Sequence, residues 1–131
     1  MLIFKRIAHS WALTSPCFSS HFFSTSDFSS FSGSTSDNWG YTATPDRFGN
    51  LYGGSGIYAT GYPTTLGAFD ISYNGPGIAT APADAVISKF NSAGTSLIYS
   101  TYFGGERIDI PHSMIVDEDG NLHLLGTTSS D

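Results

Sequence analysis

Laid over one another without a gap, residues 28–51 and 99–122 carry the same pattern. Phe28-Ser29-Ser30-Phe31-Ser32-Gly33 falls on Tyr99-Ser100-Thr101-Tyr102-Phe103-Gly104. Asp46-Arg47-Phe48-Gly49-Asn50-Leu51 falls on Asp117-Glu118-Asp119-Gly120-Asn121-Leu122. Between these blocks Asn38 meets Asp109 and Thr42 meets Ser113. Two blocks held in one register mark a repeat architecture, in which a unit buries its apolar face only against a neighbour.

The unit is written in strands. Ala85-Val86-Ile87-Ser88-Lys89-Phe90 is rich in β-branched residues and lies between Pro82 and Asn91. Asn91-Ser92-Ala93-Gly94 is a predicted turn, followed by a second strand over 96–103 that Gly104-Gly105 ends. His112–Val116 and Asn121–Leu125 make a third and fourth, joined by the turn Asp117-Glu118-Asp119-Gly120. Asp at the first turn position and Gly at the fourth suit a type I turn followed by a bulge. No window shows helical periodicity. The expected fold is all-β: antiparallel four-stranded blades of a β-propeller, about two of them, incomplete.

Copy one is expected over about 27–83 and copy two over about 84–131, truncated, with an irregular or disordered segment at 1–26. Copy one carries extra residues, at 53–60 and in a Gly- and Pro-containing connection over 71–83. Loops of this kind map to a propeller face, where binding is usually placed.

Charge narrows the partners. Five basic residues stand against eleven acidic ones, and two of the five are Lys5 and Arg6. Without clustered Lys and Arg the chain cannot neutralise a phosphate backbone, which excludes nucleic acid, and it disfavours an anionic membrane surface. No run approaches the ~18 apolar residues of a membrane span. The segment after Arg6 is interrupted by His9 and Ser10, unlike the apolar stretch of an export signal. Cys17 is the only cysteine, so it forms no intrachain disulfide and is expected to be inert.

These residues resemble a known family. Leu97–Gly105, then Asp117–Leu122 and Gly126–Asp131, are similar to the bacterial SBBP-type β-propeller repeat. Its later part is matched in copy one by Gly61-Tyr62-Pro63-Thr64-Thr65-Leu66-Gly67-Ala68-Phe69, and its opening strand by 84–91. The resemblance covers about 27–131. It implies large secreted or surface-exposed bacterial proteins, often associated with adhesion or gliding. Copy one departs from the pattern with Gly33-Ser34 in place of Gly-Gly. Copy two stops at Asp131, where the family's Phe-Pro-Thr-Thr would follow, so a piece of a longer protein is expected.

Each chemical motif has a plainer reading beside it. Asp117, Asp119 and Asn121 alternate oxygen ligands, but Ile115 and Gly126 stand where a calcium loop needs acids, and a hairpin turn explains the same residues. His112 and His123 fall on neighbouring predicted strands without a third ligand. Tyr41 and Tyr52 hold these places in copy one, so aromatic cross-strand packing is expected. Ser55 lies in a Gly-rich run but has no following helix and no His or acid partner. Glu106 and Asp109 form a carboxylate pair better read as turn acids, since copy one has Thr35 and Asn38 there. Trp39, Tyr41, Tyr52, Tyr58 and Tyr62 are stacking candidates for sugars, with core packing the stronger reading.

No catalytic residue, cofactor or metal site is assigned. The expected role is a structural or interaction module, not an enzyme, outside the cell or on its surface. Neighbouring blades are the expected partners, with a protein or saccharide ligand besides. A carbohydrate-binding fragment, or part of a hydrolase whose catalytic residues lie elsewhere, are the alternatives.

Overall fold

The computed structural model describes residues 33–75 and 84–131. The predicted irregular segment 1–26, Cys17, the block Phe28–Ser32 and the later part of the 71–83 connection lie outside those residues. The described residues form six strands and no helix. These are β1 (Asn38–Pro45), β2 (Leu51–Ile57), β3 (Asp84–Phe90), β4 (Leu97–Phe103), β5 (Asp109–Val116) and β6 (Leu122–Thr128). All pairing is antiparallel, in one sheet of order β1-β2-β3-β4 and a second of β5-β6. The sheets do not close into a ring.

Where both copies are described, the repeat is present strand for strand. β5 and β6 begin and end at the positions that match the ends of β1 and β2. Each pair also bulges at the matched place, between Gly40 and Thr42 in one and between Pro111 and Ser113 in the other. Pro111 donates no N–H to a ladder, and a bulge is where a strand tolerates that. β5 therefore runs from Asp109, earlier than the His112 start expected from its β-branched residues.

The turns form as predicted. Gly49 N–H bonds to Asp46 O at 3.0 Å, and Gly120 N–H to Asp117 O at 3.1 Å. Both glycines hold positive φ, 80° and 90°, which costs glycine little because it has no Cβ. Asp46 Oδ1 accepts the Phe48 and Asn50 N–H groups, and Asp117 Oδ1 accepts that of Asn121. At the β3–β4 turn Gly94 N–H reaches Asn91 O at 2.9 Å.

One feature departs from expectation. Two four-stranded sheets, one per copy, would place β3 to β6 together. Instead β3 and β4 complete the sheet that β1 and β2 begin, and the break falls after Phe103. Short turns hold β1–β2, β3–β4 and β5–β6 as hairpins, whereas Gly104–Ile108 makes no tight turn and releases the chain to a new sheet. A sequence period states what recurs, but not where in the period a sheet is cut.

Side-chain alternation divides the core into two layers. Ile57, Val86, Tyr62 and Tyr102 pack on one face, with Tyr73 against them. Tyr52, Ile87 and Met114 pack on the other, between the sheets, with Val116, Leu122 and Leu124. Hydroxyls buried on the first face are paired: Tyr62 Oη with Ser88 Oγ at 2.9 Å, and Ser88 Oγ with Ser100 Oγ at 3.0 Å. The connection after β2 then closes the outer edge of β4. Thr65 Oγ1 accepts Ser100 N–H at 2.9 Å, and Asp70 O accepts Tyr102 N–H at 3.0 Å. An edge bonded in this way offers no template for a further strand.

Candidate interaction surface

The second sheet meets the first through matched strands. β5 lies against β1, and to a smaller extent against β2 and β3. Tyr41 and His112 occupy matched bulge positions, and their rings meet edge-on at 6.3 Å. Met114 seals the seam beside Tyr52 and Ile87. Gly126 is required in β6, because a Cβ there would strike the carbonyl oxygen of Ile110.

Beyond this seam the surface stays open. β6 pairs only with β5 among the described residues, whereas its counterpart β2 pairs on both sides. Leu125 on β6 is 69% exposed, and Ile98 and Phe103 on β4 and Phe69 near it are exposed as well. A cleft of about 540 Å³ opens between the sheets, walled by Phe69, Ala85, Phe103, Pro111 and Leu124, with Thr128 and Ser130 at its polar side. Apolar walls and a row of ladder groups together suit an added strand pair better than a solute.

The residues singled out in the sequence separate. Asp117 and Asn121 are committed to their turn: Asp117 Oδ2 accepts Asn121 Nδ2 at 2.9 Å and also meets His123 Nε2 at 2.9 Å. The His123 hydrogen bond, then those from Asn121, hold the Asp117 carboxyl well below its ordinary value. Asp46 is lowered too: burial works against this, but bonds from Asn50, Phe48 and Lys89 outweigh it. His123 sits opposite Ile115 near the turn, while His112 bonds Thr127 Oγ1 at 3.1 Å near the other end of the hairpin. The two histidines do not face each other, and Tyr41 and Tyr52 do not either. The bulges put Tyr41 and His112 out of cross-strand register in their own hairpins, and these two rings pack on each other across the seam between the sheets.

Ser55 is buried in mid-strand, opposite Gly40 and Val86, with none of the exposure of a nucleophile on a strand-to-helix turn. Tyr52 and Tyr62 are core residues, and Lys89 Nζ lies 4.7 Å from the Tyr52 ring centre while pairing with Asp46 at 3.4 Å. Trp39 is 56% exposed and packs on Tyr58 at 5.8 Å. Glu106 is exposed but Asp109 is buried, where its Oδ2 accepts Gly105 N–H at 2.8 Å and Ser130 Oγ at 2.9 Å.

Asp109 instead approaches Asp84, which sequence reasoning did not single out. Burial, and then repulsion from Asp109, raise the Asp84 carboxyl to about 6 against the hydrogen bond from Asn74. The one signal in the sequence was the match of Asn38 to Asp109, an amide and an acid in the same place. Among the described residues no three His, Cys, Asp or Glu side chains gather as a metal-ligand set.

Residues 98–131 match the family model of the SBBP beta-propeller repeat. This stretch is similar to an SBBP beta-propeller repeat. No curated protein and no solved structure matches the chain. The matched stretch runs from β4 through β5 and β6, so the SBBP period crosses the break between the two sheets.

Proposed function

We propose that the chain is a structural and interaction module of a β-propeller, built to be completed by further blades, in a secreted or surface-exposed bacterial protein with an adhesive role. One observation carries this reading: β5–β6 reproduces β1–β2 in bounds, bulge and turn, yet among the described residues no second hairpin lies beside it as β3–β4 lies beside β1–β2. The SBBP match supports packing against other blades. The low charge and the family resemblance support the setting outside the cell. On this reading the chain performs no catalysis, and the burial of Ser55 in mid-strand supports that.

The test lengthens the chain in register, by a second copy of residues 61–103 placed after Asp131. The added hairpin should cover β6 and the cleft, so the longer chain should be monomeric in size-exclusion chromatography and melt higher than the 131-residue chain. A longer chain that associates more and melts no higher would overturn the reading.

A second reading rests on the exposed Trp39–Tyr58 pair, which offers an aromatic face to a saccharide. A glycan array decides it: binding lost on Trp39→Ala supports the saccharide site, and an empty array removes it.

A further inference from the structure

The seam between the sheets holds an acid pair with no counter-charge among the described residues. Asp84 opens β3 and is 0% exposed. Its Oδ2 accepts Asn74 N–H at 2.6 Å, but its Oδ1 has no hydrogen-bond partner among the described residues. Burying a carboxylate oxygen without a partner is costly, and native interiors rarely leave one so. Asp109 arrives from β5, on the other sheet, and the two meet at Gly104. The point where a Gly104 Cβ would stand is 2.7 Å from Asp84 Oδ1 and 2.9 Å from Asp109 Oδ2. Both oxygens pack against Gly104 in space that a side chain there would take, so the acid of one sheet approaches the acid of the other at this residue. Among the described residues neither acid forms an ion pair. Lys89 is taken by Asp46 and Tyr52, Arg47 lies over Phe48, and Arg107 is exposed.

We propose that Asp84 and Asp109 form a site for a hard divalent cation, Ca²⁺, that ties the first sheet to the second. Calcium takes oxygen ligands in flexible geometry, and a carboxylate from each strand supplies the charge. Asp109 and Ser130 line the cleft, so water and a hydroxyl can complete the shell from that side. Two carboxylates are a low charge count, which places affinity in the range of roughly 10⁻⁴–10⁻³ M found in extracellular modules. In the first copy Asn38 stands in the place of Asp109 and accepts Ser34 N–H at 3.3 Å, as Asp109 accepts Gly105 N–H. The same loop thus occurs in neutral and acidic forms.

The test is calorimetric titration of CaCl₂ into the full chain at about pH 7.5, with thermal melts in EDTA and in about 5 mM CaCl₂. The expected result is saturable one-site binding and a melting temperature raised by about 3 °C or more. Asp84→Asn and Asp109→Asn should each weaken binding tenfold or more, while Asp119→Asn on the exposed turn leaves it unchanged. Asp109→Asn recreates the Asn38 arrangement, so it keeps a folded protein in hand if Asp84→Asn does not fold. No saturable binding, or binding unchanged in Asp109→Asn, would overturn the proposal, as would binding lost in Asp119→Asn. Stabilisation by acid with no response to Ca²⁺ would assign the pair to a bound proton and overturn it equally.

Discussion

The hairpins β1–β2 and β5–β6 share bounds, bulge and turn, and yet β2 is buried along nearly its whole length while β6 is mostly exposed. The turn and the bulge, which both hairpins share, do not account for this difference. It comes from the third strand. β3 pairs with all seven residues of β2, and the connection carrying Tyr62 and Tyr73 then covers that face. A hairpin of this repeat is thus formed by its own turn and stabilised by what is laid beside it.

Matched positions make the contrast measurable. Ile57 and Thr128 end β2 and β6, and Ile57 is 0% exposed whereas Thr128 is exposed. Ile57→Ala should lower unfolding free energy by about 2–5 kcal/mol, as expected for a buried aliphatic truncation. Thr128→Ala should stay within about 0.5 kcal/mol. Denaturant melts check both, and equal losses would break the contrast.

The Gly33–Asn38 and Gly104–Asp109 loops sharpen it next. A carboxyl raised in the folded state binds its proton more tightly there than in the unfolded chain. Asp84 therefore contributes stability that is full below its unfolded value of 3.8 and is lost as pH rises through about 6. The loss over that window should be about 2–3 kcal/mol. Asp84→Asn should flatten this slope in melts across the window. A slope kept in the variant would move the effect to another group.

The two turn aspartates come after. Asp46 receives bonds from the Phe48 and Asn50 N–H groups and the Asn50 amide, and pairs with Lys89. Asp46→Ala should cost about 1–3 kcal/mol, because it strands partly buried donors. Asp117→Ala, on the exposed turn, should cost about 1 kcal/mol or less. The Asp117 carboxyl is lowered, so its share is present above the unfolded value and lost only as pH falls through its folded one. The smallest expected effect is dynamic: amide exchange should be faster along β6 than along β2 under native conditions.

The strands and turns were legible in the sequence because their causes are local. Asp46 and Asp117 each accept from neighbours within four residues, and glycines at 49 and 120 supply the positive φ their turns need. The sheet boundary was not legible, since it depends on which hairpins meet in space. The bulge at Pro111 and the placing of Tyr41 on His112 follow from pairing and from sheet stacking, so neither shows as a pattern along the chain. Asp84 was hidden for the same reason. It reads as the unremarked start of a strand, and its burial beside Asp109 is created by the seam between sheets.

The break after Phe103 bears on how such a molecule can lengthen. Because the sheet boundary falls inside the sequence period, the four-stranded sheet joins the hairpin of one period to the hairpin of the next. A whole period can therefore be duplicated or removed at any point, and each remaining sheet is still assembled from one hairpin of either kind. No new seam has to be invented, since the incoming β5-like strand finds the surface that β1 already offers.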